Sequence, residues 1–219
     1  MSTYFKQIQE ILESNDFRER LEKVNDNFPN LKQEHLIRDV ILTMYNQKYS
    51  SDYKAFSEHP RKWKLNNGDD SDKNIGRVDL SLNKATDLQN PYKIELKFFF
   101  TKDIKNGRKS SIEKNYVKKE CDLLIIIVQE FLDVKAKEEY DKRWDIDTDL
   151  LQYQIKDDAK KKQKTAGSDD KFEILEKQFK KVEDYVEGAH VGQHHNKIQI
   201  EVQLPYKTRY TFCFLERKK

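Results

Sequence analysis

The sequence predicts an α/β protein in which helices flank a central mixed sheet. Three observations carry this. Residues 77–83 (RVDLSLN) and 92–100 (YKIELKFFF) alternate apolar and polar positions, the period of a strand with one buried face. Apolar residues at helical spacing precede and follow these runs. Residues 122–129 (DLLIIIVQ) are apolar on both faces, as in a central strand covered by helices on either side.

A chain of 219 residues suits one domain, expected to span 1–219, and can bury a sizeable core. Charged residues make up 37% of it and mean hydropathy is −0.98, so much of the surface is strongly solvated. Aromatic residues at 11% and the dense apolar runs argue against disorder. The net charge of +3 carries no message, but lysines cluster in residues 160–164, around Lys180 and in residues 217–219. Cys121 and Cys213 have no zinc spacing and read as packed, reduced thiols. The first ten residues lack the apolar core of a signal peptide. The longest aliphatic run, residues 123–128, falls far short of the ~20 residues of a membrane span. A soluble, cytoplasmic protein without membrane contact is expected.

Tyr4, Phe5, Ile8, Ile11 and Leu12 recur at helical spacing behind Ser2 and Thr3, which can cap. A second helical stretch through Phe17 and Leu21 should end at residues 25–27, with Pro29 just beyond. Together they read as a peripheral layer without chemistry. Residues 33–49 form a stronger helix, with Leu36, Ile37, Val40, Ile41, Met44 and Tyr45 as its apolar stripe. Glu34 lies on or beside that stripe. Either it points inward to a site, or it is a first-turn carboxylate met by the helix dipole and Arg38.

Residues 50–75 read as a long polar surface segment. Asp69, Asp70 and Asp72 lie there, without the ligand periodicity of a calcium loop. The hairpin follows, with residues 84–91 as its loop. Pairing of its strands puts Asp79, Glu95 and Lys97 on one face. Two carboxylates and an amine so placed can hold a divalent metal on oxygen beside a positioned water. The plainer alternative is the solvated face of an amphipathic hairpin.

Residues 101–108 form a basic loop. Residues 109–120 read as a helix whose start, from Arg108 to Ser111, either meets a phosphate or is an ordinary serine cap. After the apolar strand, residues 144–155 are ambiguous, a strand or an edge element. Residues 156–170 are a charged loop, for nucleic-acid contact or for solvation. Phe172, Leu175, Phe179, Val182 and Val186 follow helical spacing up to Gly188. His190, His194 and His195 have neither metal-ligand spacing nor a partner, so residues 190–196 read as a loop. Ile198, Ile200, Val202 and Leu204 alternate, as do Tyr210, Phe212 and Phe214 after a turn at 205–207. This second hairpin extends the sheet or forms a recognition flap. The chain contains no repeat, phosphate-binding glycine loop or Gly-x-Ser-x-Gly elbow.

Asp79 in RVDLSLN and Glu95-x-Lys97 in IELK, on consecutive strands after a helix bearing Glu34, resemble the motif of the PD-(D/E)xK nuclease superfamily. The next helix and the LLIIIV strand complete the α-β-β-α-β order of its restriction-endonuclease-like fold. The resemblance covers about residues 32–129. It leaves residues 130–219 as an extension that completes the sheet or recognises nucleic acid. There are departures: Val78 stands in place of the name-giving proline, and the following helix lacks a Gln-x-x-x-Tyr motif. The resemblance implies a Mg²⁺-dependent endonuclease, with Mn²⁺ able to substitute, acting on double-stranded DNA as in restriction or defence. A homodimer would suit a symmetric site. It further implies that Asp79, Glu95 and the Leu96 carbonyl hold metal, that Glu34 holds a second metal or its water, and that Lys97 orients the attacking water or stabilises charge. Lys102, Lys105, Arg108, Lys109, Ser110 and Lys114 would hold the nucleic-acid backbone. Other classes stay open: a nucleic-acid-binding protein that does not cleave, or an interaction protein whose lysines serve solubility.

Overall fold

A computed structural model describes residues 1–29, 31–58, 77–100, 121–145 and 192–217. Among these residues the chain forms a six-stranded mixed sheet and four helices, an α/β architecture. Helix α1 (Thr3–Leu12) starts where the Ser2 hydroxyl accepts the Phe5 amide, and α2 (Asn15–Asn27) where Ser14 accepts that of Phe17. Each cap satisfies an amide that the first turn leaves without a helical partner. Helix α3 (Glu34–Tyr49) leads into β1 (Tyr53–Ser57).

The strands β2 (Leu80–Lys84), β3 (Asp87–Phe100) and β4 (Leu123–Phe131) follow, then α4 (Val134–Arg143), β5 (Gly192–Val202) and β6 (Thr208–Arg217). Their order across the sheet is β1-β2-β3-β4-β6-β5. All neighbours pair antiparallel except β3 and β4, which run parallel.

One face of the sheet and helices α1–α3 make a single core. It holds Leu80, Leu82, Ile94, Leu96, Phe98, Leu123, Ile125, Ile127, Phe212 and Phe214 together with Phe5, Ile8, Phe17, Leu21, Ile37 and Ile41. Fully burying one such side chain stabilises a fold by about 1.5–3 kcal/mol. The helices expected as a peripheral layer are therefore a wall of the core, with Phe5, Ile8, Phe17 and Leu21 all buried. Strand β4 is buried from Leu123 to Glu130, as its two-sided apolar character requires.

Three other expectations are corrected, and one helix is new. The polar segment 50–75 contains β1, whose residues pair with β2 although only Ala55 is buried. The hairpin loop is not residues 84–91: β3 already begins at Asp87, and Lys84 pairs with it across residues 85 and 86. Residues 192–196 are strand rather than loop, because β5 runs from Gly192. Helix α4, capped by Asp133, has no counterpart in the sequence reading. The second hairpin extends the sheet, as one expected alternative had it. Both cysteines are free and buried. Burial, with the Glu95 charge behind it, pushes the Cys121 thiol up to about 12. No helix among the described residues is long and apolar enough to cross a membrane. The helices expected over residues 109–120 and 172–186 lie outside the described residues, as do the ambiguous segment beyond Asp145 and the lysine-rich loop.

Candidate active site at the open edge of β3

The β2–β3 ladder stops at the pair Leu80–Ile94, while β3 runs on to Phe100. An antiparallel ladder extended one position sets Asp79 across from Glu95 on the same face. Past that point the amides of Leu96 and Phe98 face an edge that β2 has left. Buried amides need acceptors, and carboxylates supply them. Asp79 Oδ2 accepts from Leu96 N at 2.7 Å, and Glu34 Oε2 accepts from Phe98 N at 2.8 Å. Glu34 can reach this edge because it stands in the first turn of α3, which packs against both β1 and β3.

Lys97 closes the cluster. Its ammonium lies 3.2 Å from Glu34 Oε1 and 3.4 Å from Glu95 Oε1. The Glu95 side chain is 0% exposed and that of Lys97 21% exposed. A carboxylate so deeply buried requires a close cation or strong hydrogen bonds. Burial acts to lower the Lys97 pKa, but the charges of Glu34, Glu95 and Asp79 outweigh it and hold the ammonium above its ordinary range. Lys97 is thus firmly protonated among three carboxylates.

Arg38, the alternative partner for Glu34, pairs instead with Asp39 at 2.9 Å and Glu58 at 3.2 Å. Glu58 is a supporting residue that the sequence did not reveal. Its amide donates to the Asp79 carbonyl at 3.1 Å, and its carboxylate accepts from Arg77 at 3.1 Å. Through Arg38 and Arg77 it ties the start of α3 to the segment entering β2. Its φ of 48° lies in the left-handed region that glycine tolerates best, so the chain is held strained at this junction. No local pattern marks such a residue, since every partner is distant in sequence.

The structure therefore brings Glu34, Asp79, Glu95 and Lys97 together, with the Leu96 backbone beside them. Lys102, Lys105, Arg108, Lys109, Ser110 and Lys114 lie outside the described residues. His195 has a separate role: it hydrogen-bonds Glu216 at 2.8 Å and stacks on Phe5 with ring centroids 4.0 Å apart.

The donor chemistry suits a hard divalent cation. Three carboxylates against one ammonium leave the cluster with a formal deficit of positive charge, and all side-chain donors are oxygens, as Mg²⁺ prefers. Among the described residues no three His, Cys, Asp or Glu side chains form a ready ligand group. Comparison with known proteins found no matching family model, no matching characterised protein and no matching solved structure.

Proposed function

We propose that this chain is a metal-dependent nuclease on a restriction-endonuclease-like fold, hydrolysing phosphodiester bonds in double-stranded DNA as a restriction or defence endonuclease. The observation that carries the proposal is the meeting of Glu34, Asp79, Glu95 and Lys97 at the open edge of β3. Its support from the fold is the order helix, antiparallel strands, then a buried strand parallel to β3.

Asp79 and Glu95 would hold Mg²⁺ or Mn²⁺. The Leu96 carbonyl would join them, since in an extended strand it shares the side of the strand to which its amide points. A bound divalent ion polarises the scissile phosphate and lowers the pKa of an attacking water. The remaining work falls to the chain's own groups. Lys97, kept protonated by its neighbours, would stabilise negative charge gathering on the phosphoryl oxygens. Glu34 would fix Lys97 in place and, by the family resemblance, offers oxygen to a second metal or its water. Glu58 would hold the backbone of Asp79 still.

A second reading has its own observation. Asp79 and Glu34 each give one oxygen to a β3 amide, so both also serve as caps for a strand edge that no strand among the described residues pairs. In a binding protein without catalysis they would need no other role. The deciding experiment is incubation of the full chain with supercoiled DNA and with RNA, in Mg²⁺ and in Mn²⁺. Metal-dependent cleavage of DNA is expected. Wild-type protein that binds nucleic acid but cuts none with either metal would sink the nuclease proposal and leave the binder.

A further inference from the structure

We infer that Lys97 is the resident countercation of this site and competes with a divalent metal for its carboxylates. The inference rests on the metal-dependent reading above and adds how metal occupancy is controlled. Its ground is the distribution of oxygens. Glu34 has one oxygen on the Phe98 amide and the other on Lys97, Asp79 has one on the Leu96 amide, and Glu95 faces Lys97. A divalent ion entering the cluster draws on carboxylates whose charge the ammonium already meets, at Glu34 Oε1 and Glu95 Oε1.

Cations sharing the same carboxylates repel each other. At separations of a few ångströms and partial burial that repulsion is large compared with thermal energy. The ammonium cannot drift into solvent freely, since its stem emerges from a strand interior and only 21% of the side chain is exposed. Glu95, at 0% exposure, gains from Lys97 the neutralisation that its burial demands. The ammonium therefore offsets part of the site's negative charge in the absence of metal, and a metal ion binds against the repulsion of a tethered cation. A side chain useful at the transition state is, in the resting protein, an inhibitor of metal uptake.

The test is Mn²⁺ binding to the full chain without nucleic acid, read as free Mn²⁺ by electron paramagnetic resonance. Wild type is compared with Lys97→Gln, which removes the charge, and Lys97→Arg, which keeps it. Lys97→Gln should bind Mn²⁺ about tenfold or more tightly than wild type, and Lys97→Arg should stay within roughly threefold of wild type. Equal or weaker binding by Lys97→Gln overturns the competition while leaving the metal site standing. No binding by any of the three overturns both. Should Lys97→Gln prove unstable alone, thermal melting with and without Mn²⁺ decides the same question. The midpoint should rise more on adding Mn²⁺ than it does for wild type, and an equal or smaller rise counts against the inference.

Discussion

At the scale of single residues, what separates an enzyme from a binder is the kind of loss each substitution causes. Lys97→Ala should slow single-turnover cleavage by on the order of 100- to 1000-fold while changing equilibrium nucleic-acid affinity little, because a transition-state contact is absent from the ground state. Asp79→Ala should also stop cleavage, but by losing metal, so high Mg²⁺ or Mn²⁺ should restore part of its rate and none of that of Lys97→Ala. Parallel losses of cleavage and binding in Lys97→Ala would reduce the lysine to a phosphate contact. A second prediction concerns Glu216. Burial acts to raise its carboxyl, yet hydrogen bonds from Ser2, Tyr92 and His195 outweigh this and hold it below the usual glutamate range. Between the folded and unfolded values the unfolded chain binds more protons, so stability rises with pH there. Its contribution is complete above the ordinary glutamate range and disappears as pH falls through the folded value. Melting midpoints measured from about pH 6 down to 3 should fall more steeply for wild type than for Glu216→Gln.

At the scale of elements, legibility in the sequence followed how much of the signal was local. Helix α3 and strands β3 and β6 were readable because each carries its own periodicity and buries the face it marks, and β4 because its run is apolar on both faces. Strand β1 was not, since YKAFS buries only Ala55 and is a strand chiefly because β2 offers it a ladder. The depth of α1 and α2 was hidden for a related reason: an amphipathic stripe says which side is buried but not against how much protein. Glu95 and Lys97 were legible as a pair because strand alternation fixes their common face, whereas Asp79, expected within a strand, stands one residue before β2. Glu34 was visible only as one of two alternatives, and Glu58 had no local mark at all. The core that these elements share gives a direct check. Ile125 is fully buried in β4, between β3 and β6. Ile125→Ala should lower unfolding free energy by about 2–5 kcal/mol in denaturant titration. A loss under about 1 kcal/mol would mean that the strand is less enclosed than its neighbours imply.

At the scale of the whole molecule, distant parts of the chain are joined by buried polar contacts. Tyr210 of β6 places its hydroxyl 2.6 Å from Asn25 Oδ1 in α2 and 2.6 Å from Gln33 Oε1 ahead of α3, while Gln129 of β4 donates to it at 3.0 Å. Asn25 also donates to the Leu204 carbonyl at 2.6 Å. A hydroxyl has one proton, so of the two oxygens beside it one accepts and the other relies on its remaining neighbours. Tyr210→Phe leaves buried partners short of a bond and should destabilise by about 1–3 kcal/mol, as read by chemical denaturation. If the variant is as stable as wild type, the network is not what fastens α2 to the sheet. Strand β3 imposes a tighter linkage still. Ile94, Leu96, Phe98 and Phe100 fill the core from one side, and Glu95 and Lys97 stand on the other. The two sets are written in one reading frame, so a slip of a single residue would drive both charges into oil and turn four apolar side chains toward the carboxylates. The strand cannot be retuned for one task without being re-proofed for the other. Under the proposed function, variation in what is cut would therefore come from the surrounding elements, with β3 as the fixed rail against which they move.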